Sequence, residues 1–500
     1  MSVKKNYISD SSEWTFELIE EYEQVIGEIA DSYGLDTYPN QIEVIRSEQM
    51  MDAYASVGMP LGYSHWSYGK QFLSVEQNYK RGAMGLAYEI VINSNPCISY
   101  LMEENTMTMQ ALVIAHACYG HNSFFKGNYL FQTWTDADSI IDYLLFAKNY
   151  VQKCEERYGV ETVEKLLDSC HALMNYGVDR YKRPYPISVE EERIAQEQRE
   201  VHRQQQVNDL WRTIPGAGKK LEESEACFPA EPEENLLYFI EKHAPTLEPW
   251  EREIVRIVRK VSQYFYPQKQ TQVMNEGWAT FWHYTLSNSL YNQGRVSDGF
   301  MMEFLQTHTS VIYQPDFDSP HYNGVNVYTL GFAMMQDIRR ICEAPTDEDR
   351  TFFPDFAGSD WLKTIKFAMA NFKDESFIQQ FLSPKVMRDL RLFNVLDDEH
   401  QSELEISAIH DEGGYIALRG LLSKQYNLSA REPNIQIQHV DLKGDRSLTL
   451  RHTLQDSIRL HDESNEVMKH LNRLWQFDVR LESYDGGKQV KKQDFKADKA

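Results

Sequence analysis

Apolar residues recur at helical spacing along most of the chain. After Asp10-Ser11-Ser12, a cap signal, Trp14, Leu18, Ile19, Tyr22, Ile26 and Ile29 form one stripe. Spacings of three and four put such residues on a single face of an α-helix. Similar stripes run through residues 140–150, 163–173, 254–266 and 273–290. Residues 188–209 hold few apolar positions (EEERIAQEQREVHRQQQ) and read as a solvated helix. Residues 215–234, PGAGKKLEESEACFPAEPEE, mix Gly, Pro and charge and read as a linker or internal boundary.

Strand signal is sparse. LAYEIVIN, residues 86–93, is a β-branched and aromatic run closed by Ser94-Asn95-Pro96, and a helical stretch follows from Thr106 to His121. Near the C-terminus the period changes to two. Residues 434–442 and 447–452 alternate around the turn Lys443-Gly444-Asp445 and predict a β-hairpin. A helix over 463–474 and a strand over 477–482 complete a small α/β unit. The expectation is a mainly α fold with a small edge sheet in residues 1–400. A small α/β C-terminal domain fills 401–484, and 485–500 form a charged tail outside the fold.

Composition is globular, with 42% apolar and 25% charged residues. Lys plus Arg number 51 against 75 Asp plus Glu, a net charge of −24. A field of that sign disfavours nucleic acid and anionic membrane surfaces as partners. No run approaches the ~18 apolar residues of a membrane helix. The six cysteines form no CxxC pair, and no apolar run follows Lys4 and Lys5. These features imply reduced thiols and a cytoplasmic location. GxGxxG, GxxxxGK[ST] and GxSxG motifs are absent from the sequence, which leaves dinucleotide, P-loop and serine-hydrolase chemistry unsupported.

Two motifs carry candidate chemistry. In AHACYGH, His116 and His121 are five residues apart. On a regular α-helix that spacing separates them by about 140°. Both reach one metal only if the helix bulges or ends at Gly120; otherwise either is a hydrogen-bonded core histidine. In MNEGWATFWH, Glu276, Thr280 and His283 share a helical face. A carboxylate and an imidazole on an apolar helix are costly to bury unpaired. A metal would resolve that cost, and so would an ion pair from Glu276 to the helix of Arg256 and Arg259. Together the motifs suggest a zincin-like arrangement: an edge strand, a metal-binding helix ending in Gly-His, and a later helix donating a carboxylate. The candidate Zn2+ ligands are His116, His121, Glu276 and His283. In an HExxH register ending at His121, however, Ala117 takes the first His position and Cys118 that of the Glu. The general base must then come from elsewhere. Glu89 is the candidate, with Glu103 and Glu104 as alternatives, and Cys118 is an alternative ligand. His171 reads as a structural histidine or a further member of the centre. His65 and the 314–331 segment lie in loops that line a pocket or merely connect elements. His410-Asp411-Glu412 reads as a helix start.

AHACYGHNSFFKGN, NDLWRTIP, ENLLYFIEKHAP, SQYFYPQKQTQVMNEGWATFWH and EPNIQIQHVDLKGDRSLTLRH together resemble the stage V sporulation protein R (SpoVR) family, and its enterobacterial branch in particular. The resemblance runs from about residue 10 to about residue 484. It implies a cytoplasmic bacterial protein linked to spore-cortex formation in sporulating organisms and to stationary-phase and stress responses elsewhere. A PrkA-type serine kinase and a von Willebrand-A-like protein are the partners it implies. It supplies no settled activity, so the metal site rests on the residues alone. Two functions follow as expectations: a zinc-dependent hydrolase of an amide bond with Glu89 as base, or a non-enzymatic adaptor or regulator of the kinase system.

Overall fold

The structure, a computed structural model, describes residues 7–9, 11–56, 61–80, 89–182, 228–229, 231–396, 405–408, 411–454 and 460–497. The expected solvated helix at 188–209 and most of the expected linker at 215–234 lie outside them. Two compact units form. One joins Met1–Gln152 to Phe265–Leu428, and the other joins Lys153–Tyr264 to Ser429–Ala500.

The first unit is mostly helical around a small sheet of β1 (Asn40–Ile45), β2 (Glu89–Ile92) and β3 (Cys97–Met102), in the order β1-β3-β2. β1 runs parallel to β3, and β2 is antiparallel to it. Successive side chains of a strand face opposite ways. Ile90 therefore packs with Met50, Met51 and Val75 from the helices Ser47–Ala55 and Trp66–Lys80, while Val91 faces the main core. Glu89 shares the parity of Val91, so the strand aims its carboxylate towards the helices. The main core is aromatic. Trp278, Phe281, Trp282 and Phe304 are fully buried in it.

The predicted helix 106–121 divides. Thr106 caps an α-helical part, Met107–Val113, with its hydroxyl accepting from the Met109 N–H. Ile114–His121 continues as a π-helix, and α-helix resumes at Asn122. The Glu276 helix spans Gln272–Asn292. The His308 helix (Asp298–Val311) and the Tyr328 helix (Val327–Glu343) follow. Asp411 caps the helix Glu412–Gln425 as its sequence predicts, accepting from the Gly414 N–H. β4 (Asn394–Leu396) pairs with β5 (Glu405–Ala408).

In the second unit β6 (Asn434–Val440), β7 (Leu448–Thr453), β8 (Val479–Asp485) and β9 (Lys488–Phe495) form one sheet in sequence order. The helix Ser464–Trp475 connects the parallel pair β7 and β8. The hairpin, helix and strand predicted here are all present. Two expectations differ. The helix 412–425 belongs to the first unit, so the division falls after residue 428 rather than near 400. The 485–500 tail is also not outside the fold, because β9 pairs with β8 from Val479↔Phe495 to Asp485↔Lys488. A run of Lys and Gln on both faces masked that strand, since both of its faces are largely solvated. Among the described residues no helix is long and apolar enough to cross a membrane.

Candidate metal centre

The π-helix decides the geometry of the two histidines. Its backbone bonds run i→i+5, so residues five apart stack on one face. The rings of His116 and His121 lie 4.6 Å apart, edge to face. Glu276 stands opposite them. Its Oε2 is 3.6 Å from His116 Nε2 and 3.6 Å from His121 Nε2. Glu89 closes the group, with Oε1 3.5 Å from His116 Nε2. These distances exceed normal hydrogen-bond length. Glu276 Oε2 is buried and takes no hydrogen bond among the described residues. Donors ~2.1 Å from a zinc ion in tetrahedral array stand roughly 3.4 Å from one another, which is close to the spacing here.

The far side of each ring is engaged. His121 Nδ1 donates to Asn275 Oδ1 at 2.9 Å, which leaves Nε2 bare towards Glu276. His116 Nδ1 meets His283 Nδ1 at 2.9 Å, and His283 Nε2 meets His308 Nδ1 at 2.8 Å. His283 thus has both nitrogens occupied and sits one ring behind the point where the donors converge. Glu276 and Tyr328 act on each other, and the carboxylate pushes the Tyr328 phenol well above its ordinary range. The Tyr328 ring stacks at 6.4 Å from that of His116.

Burial and neighbours push the two carboxylates apart. Burial lifts Glu89 above the usual carboxylate range, and Glu276 adds to the lift. Burial also works against ionised Glu276, but His121, His116 and Tyr328 outweigh it and hold the group below the usual range. His116 is raised, because Glu89 and Glu276 outweigh its burial. Burial takes His121 down to about 4. It also takes His283 well below an ordinary imidazole.

The scaffold holds these groups tightly. A Cβ on Gly120 would lie 2.6 Å from Ala279 Cα, so the π-helix and the Glu276 helix touch backbone to backbone. Gly277 and Gly331 make the same close approach between the Glu276 and Tyr328 helices. Asp374, fully buried, accepts from the Val273 and Met274 N–H groups at 2.9 Å each and so caps the Glu276 helix from a distant segment.

Other candidates lie elsewhere. Arg256 and Arg259 pair with buried Glu241, so the expected partners of Glu276 are taken. The Cys118 thiol reaches Ser99 Oγ at 3.7 Å, and burial raises it, so it is no ligand here. Glu103 meets Arg46, and Glu104 accepts from the Ser47 N–H. His171 sits on the helix Val160–Ala172 of the second unit. His65 Nδ1 bonds Ser67 Oγ at 2.7 Å.

The model for SpoVR like protein matches residues 13–431, and that for the SpoVR-like C-terminal domain matches 433–486. The chain belongs to the SpoVR family. An uncharacterized protein of Escherichia coli (strain K12), YcgB, is 66% identical over 476 residues, which are 95% of this chain and 93% of that protein. No solved structure matches. In this SpoVR-family chain two residues of the site escaped the sequence motifs. His308 follows Phe300 and Phe304 at four-residue steps on one buried helical face, and that apolar stripe was its only signal. Tyr328 stood out only as part of the loop before its helix.

Proposed function

We propose that this chain is a zincin-like, metal-dependent hydrolase of an amide bond, with His116, His121 and Glu276 as ligands of a Zn2+ ion and Glu89 as general base. One observation carries the reading: a buried carboxylate oxygen without a hydrogen bond among the described residues lies 3.6 Å from a ring nitrogen of each of two buried histidines. A zinc ion there would supply Lewis-acid activation of a carbonyl and of water. Two imidazoles and one carboxylate are a ligand set of catalytic zinc sites and leave the fourth position open.

Geometry separates the two carboxylates, since Glu276 lies 3.6 Å from both imidazoles and Glu89 3.5 Å from His116, and the opposed shifts support the same division of roles. Glu276, held ionised, suits a ligand. Glu89, lifted by burial, suits a group that takes a proton from attacking water and returns it to the leaving nitrogen. This replaces the glutamate missing from the HExxH position. Tyr328 adds to the influences that hold Glu276 ionised. Glu89 opens β2, an edge of its sheet, and edge strands pair with extended peptides. A peptide is therefore the substrate class favoured. A cytoplasmic setting and the PrkA-type kinase and von Willebrand-A-like partners belong to this proposal through the family. If Glu89 were a fourth ligand the site would be closed and structural, as an adaptor of that kinase system would need. The grouping of Glu89 with His116 and His121 within 4.8 Å supports that second reading.

Metal analysis of the purified chain separates the cases. The expected result is one equivalent of zinc in the wild type and in Glu89→Gln, and none in His121→Ala or Glu276→Ala, all with native circular dichroism. Zinc lost from Glu89→Gln would make Glu89 a ligand. A folded, metal-free wild type after zinc addition would end both readings.

A further inference from the structure

His116, His283 and His308 form a series of three imidazoles in contact, contributed by the π-helix, the Glu276 helix and the His308 helix. The contacts are 2.9 Å and 2.8 Å, and exposure of the three residues is 3%, 1% and 4%. Leu or Phe would fill such positions without the cost of burying polar nitrogen. Packing alone therefore does not account for them. Aromatic neighbours fix the last ring: Phe304 stacks on His308 at 5.8 Å, and Phe332 and Tyr284 lie 4.9 Å away.

A neutral imidazole carries one N–H. Each contact in the series needs one hydrogen between its two facing nitrogens. Two N–H groups, or two lone pairs, facing each other in the core would leave buried polar atoms unsatisfied, which is costly. Only two neutral arrangements satisfy both contacts. In one, His116 is protonated at Nδ1, and His283 and His308 at Nε2. His116 Nε2 is then bare and faces Glu89 and Glu276. In the other, every hydrogen moves to the opposite nitrogen of its ring, and His116 turns an N–H towards the carboxylates. The rings switch together.

The geometry points to His283 and His308 as positioning residues that lock the tautomer of His116 and so decide whether its Nε2 can bind metal. This inference rests on the metal reading above. His308 lies two rings from the ligand nitrogen and touches no ligand, yet it acts on the same equilibrium. Orienting partners of metal-bound histidines typically contribute 10–100-fold in affinity. Here the partner is itself oriented by a third histidine.

The test uses the full chain with Zn2+ as probe and a competing chelator to measure affinity. His283→Phe is expected to bind zinc 10–100-fold more weakly, and His308→Phe several-fold more weakly. Long-range 15N–1H spectra of the zinc-loaded wild type provide a readout that packing would not move. The expected tautomers are Nδ1–H for His116 and Nε2–H for both His283 and His308. This spectrum needs no variant, so it stands even if His283→Phe does not fold. A His283 carrying its hydrogen on Nδ1 in the zinc-loaded protein overturns the lock. So does unchanged affinity in folded His283→Phe and His308→Phe, with the metal centre itself intact. A wild type that binds no zinc removes the centre and the lock together.

Discussion

Proton and metal compete for the same nitrogen of His116. Glu89 and Glu276 outweigh burial and hold its proton to a higher pH than a free imidazole of about 6.5. Metal binding must displace that proton. Apparent zinc affinity should therefore fall as pH falls, starting above about pH 6.5. Glu276→Gln removes one of the two carboxylates and one ligand. It should weaken zinc by at least about tenfold, or ~1.4 kcal/mol, and move the onset of competition to lower pH. Calorimetric titration in buffers of different ionisation heat reads the proton released. No release from the wild type at about pH 6.5 would contradict the assignment of His116 as a ligand.

Among the elements, the π-helix and its glycine contacts do the positioning. The Glu276 and Tyr328 helices meet at Gly277 and Gly331, where a Cβ on either would collide with the other's backbone. Gly331→Ala should force the helices apart and cost about 1–3 kcal/mol, seen as a lower urea midpoint. It should also loosen Tyr328 from Glu276, since Tyr328 lies one turn before Gly331. A midpoint equal to the wild type would show that the interface yields freely. The sequence already named His116, His121 and Glu276, because two imidazoles and a carboxylate on apolar helices stand out. It left open whether residues five apart share a face. The backbone answers that by hydrogen bonding i→i+5 over Ile114–His121, a choice that no single residue in the segment announces. His283 shows the converse. Its helical face was legible, but its neighbours were not, and they place it behind His116 instead of at the centre.

At the scale of the molecule, the boundary between the two family models falls at residues 431–433, whereas the compact units interleave. The C-terminal sheet takes part of its order from residues far upstream. Ile437 N–H donates to Glu233 O at 2.7 Å, Val440 N–H to Phe228 O at 2.7 Å, and Phe239 packs 6.0 Å from Trp475. A fragment of residues 433–500 should therefore lack a cooperative urea transition. A sharp two-state transition would show that the sheet folds without its upstream partners. The sequence by itself determined the helical body, the late hairpin, the crossover helix and the residue types of the candidate centre, because periodicity and chemical character are local properties. Tertiary structure alone decided which segments share a unit, that 488–495 is a strand, and which nitrogens meet which oxygens. Those outcomes depend on contacts between residues up to hundreds of positions apart, which no local pattern encodes.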